Sequence, residues 1–82
     1  MEYSRTARNG NPMKITDAKI LGLAIRARRK ELGYTQAYLS AFTGLSVSFI
    51  SDVERGKPTA EIEKVIRLIN ILGMDIRIAK RG

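Results

Sequence analysis

The stretch TQAYLSAFTGLSVSFISDVERGK, residues 35–57, contains two short helical patterns divided by a single glycine. Gly44 stands at the division, where a tight turn with positive φ is easiest for glycine. Ser40 is a small residue at the position where two helices joined by such a turn must cross. Ile50 and Val53 give the second helix an apolar side that can hold it against a core. The spacing therefore predicts two short helices that cross closely around a turn.

Capping residues and apolar periodicity extend this pattern to four helices. Thr35 and Ser46 are typical N-caps for the two short helices, which are predicted to run from 36 to 43 and from 46 to 55. A first helix is predicted from residue 17 to Gly33, and a fourth, capped by Thr59, up to Gly73. The stripe of the first helix is Leu21, Ile25, Arg29 and Leu32. The apolar set of the fourth is Ile62, Val65, Ile66, Ile69 and Leu72.

The C-terminal segment follows a different period. Met74, Ile76 and Ile78 alternate with Asp75 and Arg77, which is typical of a β-strand. An apolar strand without a partner leaves backbone groups unpaired. A second copy of the chain could supply that partner, so the pattern predicts dimerisation through the three apolar residues. A frayed tail is the alternative.

The N-terminal segment shows no sustained periodicity and contains Asn-Gly and Asn-Pro pairs, which favour turns. It predicts a flexible basic arm that carries Arg5, Arg8 and Lys14. The chain is thus expected to divide into this arm at 1–16, a helical domain at 17–73, and a dimerisation strand and tail at 74–82.

The composition argues against several classes of function. The 82 residues form one small domain with little room for a pocket. There is no histidine and no cysteine, so neither a Ser-His or Cys-His pair nor a thiolate metal site can be written. We therefore expect no enzyme activity, no cofactor and no metal. The absence of cysteine also fits a reducing cytoplasm.

The net charge of +7, from 15 Lys and Arg against 8 Asp and Glu, suits a polyanionic partner such as nucleic acid or an anionic membrane surface. No apolar run approaches the roughly 20 residues that span a bilayer. No helix could present a wide apolar face to a membrane surface without taking it from the core. Nucleic acid is therefore the preferred partner.

The stretch at 35–57 resembles the DNA-binding helix-turn-helix of the phage Cro/repressor family, also called the xenobiotic-response-element family, and the likeness runs from Leu21 to Leu72. A narrower resemblance, through SFISDVERGKPT (48–59), the fourth helix and LGMDIRI (72–78), is to HipB-like antitoxins. The resemblance implies an all-α, lambda-repressor-like bundle of about four helices with a C-terminal β-strand that pairs across a dimer.

The residues that read bases are predicted on the side of the third helix that faces away from the core. In the family, the positions of Val47, Ser48, Ser51 and Asp52 read bases. Short polar side chains can approach base edges closely, and a valine can meet a thymine methyl. A carboxylate facing DNA is unfavourable unless it accepts from cytosine or pairs with arginine. For Phe49, core packing is preferred over a base contact or dimer packing.

Phosphate contacts are predicted around the same motif. The start of the second helix favours an anion, because its free N–H groups and dipole point outward. In the family the side chain matching Gln36 holds a phosphate. Thr35, Arg55 and Lys57 are expected to be further contacts to the DNA backbone.

Arg29 is a cation inside an apolar stripe, so it should be paired. Glu54, on the core side of the third helix, is its natural partner, and the resemblance implies the same structural ion pair. Arg26, Arg28 and Lys30 are expected to face solvent.

The resemblance finally implies a function. It predicts a homodimeric transcriptional repressor that binds double-stranded DNA sequence-specifically and is located on the nucleoid in the cytoplasm. The expected role is that of the antitoxin of a HipB-like toxin–antitoxin operon, which it autoregulates, with a kinase-like toxin as its second partner. The alternative is a stand-alone helix-turn-helix regulator with no toxin partner.

Overall fold

The computed structural model describes residues 13–82 as a bundle of four helices. These are α1 (Ala18–Glu31), α2 (Gln36–Thr43), α3 (Val47–Glu54) and α4 (Ile62–Ile71). The predicted all-α bundle is therefore confirmed. Within the described range no residue is in a strand. The predictions for the N-terminal arm up to residue 12, including Arg5 and Arg8, lie outside that range.

Short polar side chains begin the first three helices, as α2 and α3 were predicted to begin. Asp17, Thr35 and Ser46 each accept a hydrogen bond from the backbone N–H three residues ahead, at 2.8, 3.0 and 3.0 Å. Each such cap is worth roughly 0.5–2 kcal/mol. Gly44 ends α2 with φ 81°, which confirms the left-handed turn that places α3 across α2.

The predicted cap of α4 was wrong. Thr59 lies in a turn in which the N–H of Ala60 donates to the carbonyl of Lys57 at 3.4 Å, and α4 begins only at Ile62. Because this turn takes up the residues after Pro58, the N-cap of α4 is Glu61. The side chain of Glu61 makes no capping hydrogen bond.

The core lies between the four helices and takes most of its volume from large aliphatic side chains. The fully buried ones are Ile25, Leu39, Ile50, Leu68 and Leu72. Leu68 was not predicted to belong to the core face of α4, whereas Ile62, which was, is 65% exposed. The first turn of α4 lies at the edge of the core, beside the 57–60 turn, so its apolar residue stays outside.

Gly22 sets the separation of α1 from α3. A Cβ atom at this position would lie 2.3 Å from the carbonyl oxygen of Val53 and 2.8 Å from that of Glu54. No side chain fits there unless one of the two backbones moves. Glycine therefore brings the end of α3 against α1, a close approach that was not predicted from the sequence.

The C-terminal segment has no regular secondary structure in the single chain. Met74 packs against the core, and its N–H donates to the carbonyl of Ile69 at 3.1 Å. Beyond it, Ile76 is 50% and Ile78 95% exposed. A strand at this place needs a partner from another chain, so the predicted pairing stays a prediction.

Candidate nucleic-acid interface

The outward side of α3 is a row of small and polar side chains on a helix fixed to the core. Ile50 and Val53 are 0% and 4% exposed and anchor the opposite side. The four residues predicted to read bases are on the outward side, with Val47 and Ser48 exposed and Ser51 and Asp52 half-buried. A partner can therefore approach the backbone of α3 closely along its first two turns.

At the C-terminal end of this side, four residues form what we call the Asp52 cluster: Ser51, Asp52, Arg55 and Lys57. Nη2 of Arg55 lies 2.7 Å from Oδ1 of Asp52, and Nη1 of Arg55 donates to Oγ of Ser51. Nζ of Lys57 lies 3.5 Å from Oδ2 of Asp52. Both carboxylate oxygens thus face a cation. Pairing with arginine was one of the two conditions under which Asp52 could face DNA.

The start of α2 holds the other two residues predicted to contact phosphates. Oγ1 of Thr35 accepts the N–H of Tyr38 and is exposed at the helix end. The side chain of Gln36 is half-buried, and its Nε2 donates to Oε1 of Glu54 at 3.0 Å. In the single chain this amide group is therefore hydrogen-bonded to a buried carboxylate and not to an external partner. The first-turn N–H groups and the dipole of α2 still favour an anion at this end.

Beneath this surface, Arg29 and Glu54 form a buried, bidentate ion pair. Nε and Nη2 of Arg29 lie 2.7 and 3.0 Å from the two carboxylate oxygens, and the side chains are only 9% and 3% exposed. Nη1 donates to the carbonyl of Tyr34 at 2.8 Å. Hydrogen bonding to Glu54 raises the pKa of Arg29 despite its burial. With Gln36, these residues form the buried network that joins α1, α2 and α3.

Two further arginines donate to carbonyls at helix ends, and neither contact was predicted from the sequence. Arg28, expected to face solvent, is half-buried, and its Nε donates to the carbonyl of Leu72 at 2.8 Å. Arg67 donates from Nη2 to the carbonyl of Thr43 at 2.7 Å. The last carbonyls of a helix lack internal partners and attract cations. Both contacts join residues far apart in the sequence, so no local pattern could have indicated them.

Phe49 is half-buried and packs against the core, the role that its sequence position favours over a base contact. Nζ of Lys64 lies 5.9 Å from the centre of its ring. Elsewhere in residues 13–82, no three acidic side chains come close enough together to hold a metal ion, and no helix is long and apolar enough to cross a membrane.

Comparisons with known proteins agree with this geometry. A family model described as helix-turn-helix matches residues 25–78. The chain is 40% identical over 62 residues to the uncharacterized HTH-type transcriptional regulator y4mF of Sinorhizobium fredii. The aligned region covers 76% of this chain and 82% of the relative. It is 46% identical over 48 residues to the uncharacterized HTH-type transcriptional regulator YazB of Bacillus subtilis, covering 56% of this chain and 70% of the relative.

Among solved structures, the fold is similar to that of HipB in a HipB–O4 20mer complex. The TM-score is 0.77 at 20% sequence identity, over 85% of this chain and 99% of that chain. At this identity the likeness concerns the fold.

Proposed function

The chain belongs to the helix-turn-helix family of DNA-binding transcriptional regulators, and from that premise we propose that it is a homodimeric, sequence-specific repressor. The observation that carries the proposal is the outward side of α3, where small polar side chains stand on a helix anchored by Ile50 and Val53. Such a helix can enter a major groove and bring short side chains to base edges. The DNA-binding domain would be residues 17–73, acting on the nucleoid in the cytoplasm.

The proposed contacts divide into two groups. Val47, Ser48, Ser51 and Asp52 read bases. Thr35, Gln36, Arg55 and Lys57 contact phosphates on either side of α3. Phosphate contacts fix the register of the protein on the duplex, whereas base contacts specify the sequence.

Substitutions in the two groups should have different effects. Ser48→Arg should select duplexes with guanine at one position, because arginine pairs in bidentate fashion with guanine O6 and N7. Gln36→Ala should instead weaken binding to all duplexes about equally, because a phosphate contact carries no sequence information. Enrichment of duplexes from a random pool, followed by fluorescence anisotropy, measures both.

Glu63→Gln on α4 is the matched control for Ser48→Arg, because it raises the net charge equally at an exposed site on another helix. It should select the same duplexes as the wild type. If Ser48→Arg also selects the wild-type sequences, α3 does not read bases in the proposed way.

The finer proposal is that the protein is the antitoxin of an autoregulated, HipB-like toxin–antitoxin operon, with a kinase-like toxin as partner. It is supported by the resemblance of residues 48–59 and 72–78 to HipB-like antitoxins. A stand-alone regulator without a toxin is the second candidate, and the names of y4mF and YazB as transcriptional regulators fit both candidates. Co-expression with the product of the adjacent reading frame separates the two, since only an antitoxin would co-purify with it and neutralise its toxicity.

We also propose that the dimer forms through residues 74–79. The strands of two subunits would pair antiparallel, with Met74, Ile76 and Ile78 turned toward the bundles. A two-stranded ribbon is marginal alone and gains stability when it packs on helices. The exposure of Ile76 and Ile78 in the single chain supports this arrangement, because it leaves apolar surface for a second copy. The pair would hold the two α3 helices roughly 34–36 Å apart, one helical turn of DNA.

Replacing Ile76 and Ile78 together by lysine should convert the dimer to a monomer with an unchanged fold. Both side chains are already half or fully exposed in the single chain, so the charge disturbs only a contact between subunits. Analytical ultracentrifugation and circular dichroism check the two parts. Arg77→Gln, on the opposite side of the strand, is the control and should stay dimeric. A dimer that survives the double lysine variant would place the interface elsewhere, with Phe49 and α4 as the next candidates.

A further inference from the structure

We infer that Asp52 controls how strongly the protein binds DNA of the wrong sequence, by holding Arg55 and Lys57 away from phosphates. This inference rests on the proposed function and assigns Asp52 a role beyond that of a base contact. The residue would act as a positioning residue for two cations and, through them, determine specificity.

The geometry of the Asp52 cluster supports this role. Each carboxylate oxygen is used by a different cation, Oδ1 by Arg55 at 2.7 Å and Oδ2 by Lys57 at 3.5 Å. Arg55 is bound a second time, because it also donates to Ser51. Its guanidinium group therefore lies along the last turn of α3 instead of extending toward a partner. The Asp52 side chain, 29% exposed, lies beneath side chains that are 69% and 52% exposed.

The cluster is open to solvent, so its ion pairs are weak enough to be exchanged. Exposed pairs contribute little to stability, and a phosphate can compete for either cation. Any phosphate that binds one of these cations therefore also changes the surroundings of the Asp52 carboxylate. A duplex that takes both Arg55 and Lys57 leaves the Asp52 carboxylate facing DNA without a cation, and phosphates repel an unpaired carboxylate.

Only some sequences relieve this conflict. Cytosine presents an N4 amine in the major groove, and a carboxylate can accept from it. Where such a donor lies opposite Asp52, the carboxylate gains a new partner and Arg55 is released to a phosphate. On other sequences the pair stays closed and the phosphate contact is lost. The Asp52 cluster would thus make a general backbone contact depend on one base pair.

Asp52→Asn removes the charge that holds the two cations and keeps the shape of the side chain. At 0.1 M salt, each additional phosphate contact should tighten binding about tenfold, because each adds about 0.9 to the salt slope. We therefore expect Asp52→Asn to bind a random-sequence 20-base-pair duplex at least about tenfold more tightly than the wild type, with a steeper salt slope. The preferred duplex, enriched from the same pool by the wild type, should gain almost nothing because its phosphates already hold the released cations, so the specificity ratio should fall by nearly the same factor. Fluorescence anisotropy with both duplexes at several salt concentrations measures these quantities.

Glu31→Gln is the matched control. Glu31 also pairs with an arginine three residues away, Arg28 at 3.0 Å, and its substitution changes the net charge equally on α1. It should raise both affinities slightly and leave their ratio unchanged. In an Arg55→Gln background, Asp52→Asn should gain clearly less on the random duplex, because one of the held cations is already gone.

The outcomes separate this inference from the proposed function. If the wild type prefers no duplex over any other, the proposed function fails and the inference fails with it. If the wild type selects a sequence but Asp52→Asn and Glu31→Gln behave alike, only the role of Asp52 is overturned. A full gain in the Arg55→Gln background would likewise show that Asp52 does not act through Arg55.

Discussion

The affinity of the protein for its preferred duplex is expected to fall by roughly 10³–10⁵ when salt rises from 50 to 200 mM, if a dimer neutralises on the order of six to ten phosphates. Each bound phosphate releases condensed counterions, and salt opposes that release. The chain carries a net charge of +7, and Arg55 and Lys57 lie beside the outward side of α3, where phosphates would pass. Fluorescence anisotropy across this range gives the slope directly.

The control for this salt titration is a measurement of the folded state of the free protein over the same salt range. Circular dichroism of the free protein should remain constant over the same range, because the Arg29–Glu54 pair is buried and salt screens such pairs little. A slope near zero with an intact fold would mean that backbone phosphates are not what the protein binds. A steep slope without sequence preference would leave a general polyanion binder.

Arg29→Ala is expected to destabilise the protein by about 3–5 kcal/mol, because it leaves the carboxylate of Glu54 buried without its charge partner. Total stability is typically about 5–15 kcal/mol, so most of the variant could be unfolded at moderate temperature. Glu54→Ala should cost a similar amount and also free the amide of Gln36. Urea denaturation followed by circular dichroism gives the free energies of unfolding.

Lys64→Ala is the comparison for this loss, because Lys64 and Glu61 form an exposed pair at 3.4 Å. Exposed pairs contribute about 0–1 kcal/mol. The raised pKa of Arg29 sets the expected pH dependence. Its contribution is fully present below the pKa of the unfolded chain and is lost only as pH rises through the higher folded value, far above neutrality. Wild-type stability in both alanine variants would mean that these side chains are exposed, and would reopen a DNA-binding role for Arg29.

The central pair of helices could be predicted because its signals are local. A cap at Thr35, a turn at Gly44 and a second cap at Ser46 each act within a few residues. The start of α4 was predicted wrongly because a local signal alone was used there too. Thr59, after Pro58, is a residue type typical of an N-cap, but it lies inside the turn in which the N–H of Ala60 donates to the carbonyl of Lys57.

The candidate site was predictable only where the position of a side chain depends on the periodicity of a single helix. The outward side of α3 follows from the burial of Ile50 and Val53 and from helical periodicity. The hydrogen bond of Gln36 to Glu54 and the capping of α4 by Arg28 join residues that are 18 and 44 positions apart. Such contacts depend on how the helices pack, and periodicity does not contain that information.

The separation between the two sides of α3 has a consequence for the history of such a gene. Ile50, Val53 and Glu54 hold the helix in the bundle, whereas Val47 and Ser48 project away from it. After a gene duplication, the outward positions of one copy can drift while both copies still fold. If these positions read bases as proposed, two sister regulators with different targets can arise through single outward substitutions while both copies keep their fold.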